Sequence, residues 1–473
     1  MGPFRDLLIV ALAGVAAGCS EERPGFEPRH VFLVTVEHLR ADRCSFLMHD
    51  RPTTWMPSDE SMREEHRAFG LDELAADGVV FANSYAPSPL RDVSLATLLA
   101  ARAPLETGVL LKGDELPGEL VTLGEAFRAG GFRTAAFLGG RDPLDASFAR
   151  GFEHVESFDA DQEALLAAAE WLGADPGDGA RTLVWVHLAG LAPPWTPREA
   201  VPDADALLGT RAFPDADAPG RPDGSLDSIR AIHAALEPPS SADRVATGAV
   251  YDRALAHLVA QIWLGLYRTF DYHTARAEAS ETWARTVFVL AGVNGVELLE
   301  NGAIGAEGML SDGTLHVPLF FRHPDSLTGE RILADVVGLE DVAPTLLEWM
   351  RLPPLPASRG RSLLPVLDSY VERPFASRPA FAQLPERAVF SVRDERYRLV
   401  LNPTRTQPAG RPLSAGPMRE VSLHDHESDP AGIRDVARDH PEVVMRLTAA
   451  IRAWRESQTL FHTTARVASP GAR

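Results

Sequence analysis

Cysteine and lysine are nearly missing from this chain. Two cysteines, Cys19 and Cys44, stand in 473 residues, so a small fold stapled by several disulfides is excluded. Of the 46 basic residues only Lys112 is a lysine, and no lysine is therefore expected to hold a phosphate or sulfate at a site. Net positive charge is absent: the formal charge is -20. That argues against a nucleic-acid partner, because gripping a polyanion takes a basic face that releases counterions. No apolar run reaches the ~20 residues of a comfortable transmembrane helix. What is present is ordinary for a folded, water-soluble body, with 45% apolar and 24% charged residues, enough to bury a large core.

The N-terminus carries the clearest local signal. Arg5 precedes an apolar run from Leu7 to Ala17, and Ala16-Ala17-Gly18-Cys19 follows. Residues 1–18 read as an export signal. Small residues directly before a cysteine resemble the bacterial lipobox, which makes Cys19 the lipid attachment site and mature N-terminus. An ordinary signal peptide cleaved after Ala16-x-Gly18 is the alternative. Ser20, where an aspartate would favour retention in the inner membrane, points to the outer membrane. The expectation is an exported protein, lipid-anchored in the bacterial cell envelope, with a polar tether over residues 19–29. With Cys19 acylated, Cys44 has no intramolecular partner.

His30 to Val36 is a near-continuous apolar, β-branched run bounded by charge, the pattern of a parallel strand buried on both faces. The same pattern recurs at Thr134–Leu138, Thr182–His187 and Thr286–Ala291. Helical stretches such as Glu163–Leu172 and Val250–Leu266 lie between them. The alternation predicts an α/β fold, a mostly parallel central sheet sandwiched by helices, over residues 30–370. Residues 196–245, rich in Pro, Asp, Ala and Gly, read as a surface excursion. Beyond residue 370 come short strands, Ala388–Val392 and Tyr397–Leu401, and an amphipathic helix near His440–Trp454. These predict a small C-terminal antiparallel subdomain over residues 371–458, with a frayed tail over 459–473.

Against these landmarks the chain resembles the sulfatase family of alkaline-phosphatase-like fold, from about residue 30 to 456. Glu37-His38-Leu39-Arg40-Ala41-Asp42 is similar to the family's opening Thr-Ile-Asp-Thr-Leu-Arg-Ala-Asp. Leu71-Asp72-Glu73-Leu74-Ala75-Ala76-Asp77-Gly78-Val79-Val80-Phe81-Ala82-Asn83-Ser84-Tyr85 follows the pattern Leu-Asp-x-Leu-Ala-x-x-Gly-Val-x-Phe-x-Asn-x-Tyr. Asp341-Val342-Ala343-Pro344-Thr345, Gly360-Arg361-Ser362-Leu363 and Leu423-His424-Asp425 continue the match in order. Each is weak alone; their collinearity carries the resemblance.

Sulfate-ester hydrolysis needs an in-line nucleophile, a divalent cation on the anionic oxygens and an acid for the leaving group. The resemblance implies a nucleophile within Cys/Ser-x-Pro-Ser-Arg, and the matching stretch, Ser88 to Leu99, puts Arg91 at that position. A guanidinium, always protonated, cannot attack sulfur or phosphorus. The family's metal ligands correspond to Glu37 and His38 after the first strand, and to Val293 and Asn294 after a late one. Val293 has no lone pair to offer. His187 matches the first histidine of His-x-x-Asp-Pro-His, but the second is gone, and Gly305-Ala306-Glu307 lacks the histidine of Gly-His-Gly.

Two readings of these positions stay open. Glu37 and His38 form either a remodelled metal or anion site, or two polar residues at a strand end. Arg91 either sits beside Glu37 and neutralises it, or forms an anion pocket with His38. Ser94 and Thr97 are weak candidates for a displaced nucleophile, His187 a weak catalytic candidate, and Asn294 reads as a turn with Gly295. Trp185, Trp263, Trp283 and Trp454 read as packing. The expected function is a catalytically inactive sulfatase-like lipoprotein with a binding or scaffold role, without a cofactor. Its expected partners are the membrane through the lipid, and an anionic glycan or envelope protein; in the scaffold reading the protein partner binds on 196–245. The alternative is a diverged hydrolase or transferase of sulfate or phosphate esters with one divalent cation, zinc, manganese or calcium.

Overall fold

All seven side chains of His30–Val36 are buried. Phe32, Val34 and Val36 enter one hydrophobic core and Val31 and Leu33 the other, the period-two signature of a strand covered on both faces. In the computed structural model this strand, β1, is the fifth of an eight-stranded sheet. The model describes residues 27–47, 53–56, 69–173, 179–195, 213–235, 237–270, 282–305, 308–323, 331–367, 377–407, 417–429 and 432–468. Cys19, the export signal, most of the tether, Ala306 and Glu307 lie outside these residues.

The remaining strands are β2 (Gly78–Tyr85), β3 (Arg133–Gly139), β4 (His154–Phe158), β5 (Thr182–Leu188), β6 (Thr286–Gly292), β7 (Leu319–Arg322) and β8 (Arg331–Gly338). Their spatial order is β8-β2-β7-β6-β1-β5-β3-β4. Only β7 runs antiparallel to its neighbours; the other pairings are parallel. Helices α1 (Arg91–Ala100), α2 (Leu123–Ala129) and α5 (Val342–Trp349) cover one face, and α3 (Asp161–Gly173) and α4 (Ser241–Phe270) the other. This is the predicted α/β sandwich with a mostly parallel sheet.

Four antiparallel strands, β9 (Ala380–Leu384), β10 (Val389–Arg393), β11 (Tyr397–Leu401) and β12 (Val421–Asp425), form a second sheet in that order. Helix α6 (Pro441–Ala468) covers it, with Val443, Leu447 and Ile451 against Phe390, Val392, Leu399 and Leu423. Tyr85 of β2 ties the two sheets together by accepting a hydrogen bond from Arg393 Nε (2.9 Å). Trp185 and Trp283 are buried, Trp263 packs against the core, and Trp454 stacks on Phe381 at 4.9 Å.

Two stretches hold helix that the sequence reading does not mark. Helix runs on through α6 to Ala468, where fraying was expected. Within 196–245 the described part holds a helix at Leu226–Ala234 and the first residues of α4. Ser225 caps the former by accepting from the Ser228 amide, and Ile229 is buried. Proline and glycine there mark the joints between short helices, and their density hid the segments they bound. Among the described residues no helix is long and apolar enough to cross a membrane.

Candidate functional site

The site forms where the parallel strands end, the edge at which α/β sheets collect their chemistry. Glu37 follows β1 directly, and its amide still donates to the Leu188 carbonyl (2.9 Å), extending the ladder one step. His38 then turns the chain with φ 57°, a left-handed conformation costly for a residue with a Cβ. Asn294, two residues past β6, holds it there. Its Oδ1 accepts from the His38 amide (3.0 Å) and its Nδ2 donates to the Pro89 carbonyl (2.8 Å), while His38 Nδ1 lies 3.2 Å from the Gly295 carbonyl. One amide thus ties three loops together. Asn294 was read as a turn residue; the structure makes it a bridge.

Glu37 is enclosed. Its Oε1 accepts from Arg91 Nη1 (3.2 Å) and lies 3.1 Å from His187 Nε2, and His38 Nε2 stands 3.8 Å from its Oε2. Arg91 opens α1, where a cation faces the positive end of the helix dipole. Three carboxylates offset this: Glu37, the neighbouring Asp92, which accepts from Arg91 Nε, and Asp142, whose carbonyl and Oδ2 take Nη1 at 2.9 and 3.2 Å. Asp92 is fixed by the Gly113 amide (2.7 Å). The chain's one lysine stands beside this cluster, with Lys112 Nζ 2.5 Å from Asp142 Oδ2.

Behind Glu37 the hydrogen bonds have a direction. The Trp185 indole can only donate, and it donates to Thr35 Oγ1 (2.9 Å). The single Thr35 proton then goes to His187 Nδ1 at 2.9 Å in preference to the Val186 carbonyl at 3.4 Å. That leaves His187 Nε2 to donate to Glu37. Thr35 and His187 are register partners in β1 and β5, so strand pairing itself builds this chain. Burial alone raises the Glu37 carboxyl, but the hydrogen bond from His187 and the charge of Arg91 outweigh it and hold the pKa at about 2. Burial lowers the pKa of His38.

A divalent cation does not fit these donors. Glu37 Oε1 is already engaged by a permanent cation, and the Asn294 amide is spent on His38 and Pro89. Val293 lies in the hydrophobic core with its nitrogen on the Val36 carbonyl. Among the described residues no group of three or more His, Cys, Asp or Glu side chains is placed to hold a metal ion. A metal at Glu37 would meet a guanidinium 3.2 Å from the same oxygen, an arrangement opposed by charge repulsion at short range. Zinc, manganese or calcium would need Arg91 to leave.

Ser94 is also turned away. Its hydroxyl donates to the Ser88 carbonyl (2.8 Å) from one turn inside α1. Ser94→Ala is expected to lower stability by about 1 kcal/mol, read as a small drop in melting temperature with the Glu37 environment unchanged. Asp92, Asp142, Thr35 and Lys112 join the site without a motif to flag them. Asp92 alone had a signal, as an acid next to a cation at a helix start.

This architecture recurs in solved structures. A phosphonate monoester hydrolase of Agrobacterium radiobacter superposes with a TM-score of 0.66 over 91% of this chain and 96% of its own, at 19% identity. A protein solved with its substrate D-glucosamine-2-N,6-O-disulfate gives 0.68 over 92% and 98%, at 15% identity. A 2-O glycosaminoglycan sulfatase gives 0.65 over 93% and 94%, at 16% identity. This is the sulfatase fold. Sequence likeness is thin by comparison: a Δ4,5-hexuronate-2-O-sulfatase of Bacteroides thetaiotaomicron is 35% identical over 91 residues, 18% of each chain. No protein-family model matches the sequence. The sulfatase fold accounts for the sheet order, the single antiparallel strand and the second sheet.

Proposed function

We propose that this chain is a catalytically silent protein of sulfatase fold that binds an anionic sugar or a protein partner in the bacterial envelope, anchored by lipid at Cys19. One observation carries the reading: the guanidinium of Arg91 is ion-paired with Glu37 at the head of α1, where the resemblance places an attacking group. Arginine stays protonated at any physiological pH and cannot be a nucleophile. The one carboxylate after β1 is neutralised inside the protein. A fold neighbour has D-glucosamine-2-N,6-O-disulfate as its substrate and a partial sequence relative is a Δ4,5-hexuronate-2-O-sulfatase, which supports an anionic sugar as the ligand class.

The test is turnover. The purified mature chain, incubated with aryl sulfates and aryl phosphates and with calcium, magnesium, manganese or zinc, is expected to release no more product than buffer. Metal-stimulated hydrolysis that disappears in Glu37→Gln would overturn the proposal. Titration with sulfated and uronate-containing oligosaccharides then separates the sugar ligand from the protein partner.

A further inference from the structure

The opposite edge of the main sheet carries a row of arginines. Arg331 and Arg133 open β8 and β3, and Arg285, Arg29 and Arg181 stand immediately before β6, β1 and β5. Backbone bonds make the central ones neighbours: the Arg29 amide donates to the Arg285 carbonyl, that of Thr182 to Arg29, and that of Arg133 to Arg181. With strands ~4.8 Å apart, the row from β8 to β3 spans roughly 30 Å. It stands out on a chain of net charge -20.

Rings and backbone carbonyls, which carry no net charge, hold Arg181, Arg133 and Arg331. Arg181 lies over the Phe132 ring at 4.0 Å and donates to the Met350 carbonyl (2.7 Å). Arg133 lies over Trp171 at 4.7 Å, and Arg331 donates to the carbonyls of Val366 and Leu367. Of the acids nearby, Glu27 pairs with Arg351 (2.8 Å) inside the same edge, Glu153 with Arg128 (3.5 Å) and Asp77 with Arg322 (3.6 Å), so three carboxylates are each matched by a cation outside the row of five. His30, between Arg29 and Arg285, has its pKa lowered to about 4 by burial and then by those two charges. Beside Arg29, Arg181 and Arg351 opens a cleft of about 540 Å³ with Glu27, Trp349 and Met350 in its wall, three cations to one acid around an aromatic, as at bilayer interfaces.

We infer that this arginine edge is a seat for an anionic bilayer, its guanidiniums resting on phosphate-bearing lipid headgroups. Charge complementarity selects that partner, and so does continuity: the edge begins at Arg29, the last residue of the stretch the sequence reads as a tether to lipid. The inference deepens the envelope reading, and a chain without its acyl group separates the two.

The experiment is co-sedimentation of the unacylated mature chain with vesicles of phosphatidylglycerol and phosphatidylethanolamine, or of phosphatidylcholine alone. Retention on the anionic vesicles only, falling with added salt, is expected. The exposed pair Arg29→Glu and Arg351→Glu should weaken it at least about tenfold with an unchanged melting temperature. No retention, equal retention on neutral vesicles, undiminished retention of the charge-reversed variant, or preferential capture of duplex DNA would each overturn the inference. Acylated chain found in membranes while the unacylated chain ignores anionic vesicles would leave the anchor and remove the seat.

Discussion

An Arg91→Ala variant should melt at a clearly lower temperature than the parent, with about 3–5 kcal/mol of stability lost. Among the described residues the guanidinium is the only permanent cation within hydrogen-bond reach of Glu37 Oε1, and it also binds Asp92 and the Asp142 carbonyl. Without it, two buried carboxylates, Glu37 and Asp92, lose their shared cation. Most of the loss is the penalty of stranding those charges, rather than the worth of the ion pair itself. Adding Glu37→Gln to Arg91→Ala should therefore recover part of the stability, although it removes a second native residue. Thermal unfolding of the single and double variants decides it: an Arg91→Ala protein as stable as the parent would mean that Glu37 is not held by this pair.

The second large effect is on acid stability. The Glu37 carboxyl has its pKa lowered from 4.5 to about 2 in the folded protein, so the unfolded chain binds its proton first as pH falls. The contribution of Glu37 is complete above about pH 4.5 and is lost between there and pH 2. At 1.36 kcal/mol per pKa unit it amounts to about 3 kcal/mol. Asp312 and Asp42 are also depressed and soften the protein in the same window, so the measurement must be a difference. Melting temperatures of the parent and of Glu37→Gln, taken from pH 7 to pH 2.5, should converge as pH falls. Parallel curves would show that Glu37 titrates alike in both states.

The sequence made some of this legible and hid the rest for physical reasons. Strands β1, β5 and β6 are buried on both faces, which writes an unbroken apolar run into the chain, and their bounds lie within one residue of the reading. Strand β4 sits at the sheet edge with Val155, Glu156 and Ser157 exposed, and β7 is four residues long; neither leaves a run. The gathering of Glu37, His38, Arg91, His187 and Asn294 was suggested by collinear resemblance, not by spacing. The 205 positions that separate Asn294 from Pro89 show why no local pattern reveals the bridge. Lys112, the one lysine among 46 cations, pairs with Asp142 beside the site, a placement on which composition is silent.

Strand β1 joins the two ends of the molecule. Arg29 precedes it, Glu37 follows it, and its seven residues at ~3.3 Å each make a rod of about 23 Å. On the inferred bilayer seat this rod would hold Glu37 about that far from the lipid, at the end of the strand that faces away from it. Because β1 lies mid-sheet between β5 and β6, the rod cannot tilt without breaking both ladders, so the distance and angle between its two ends are fixed.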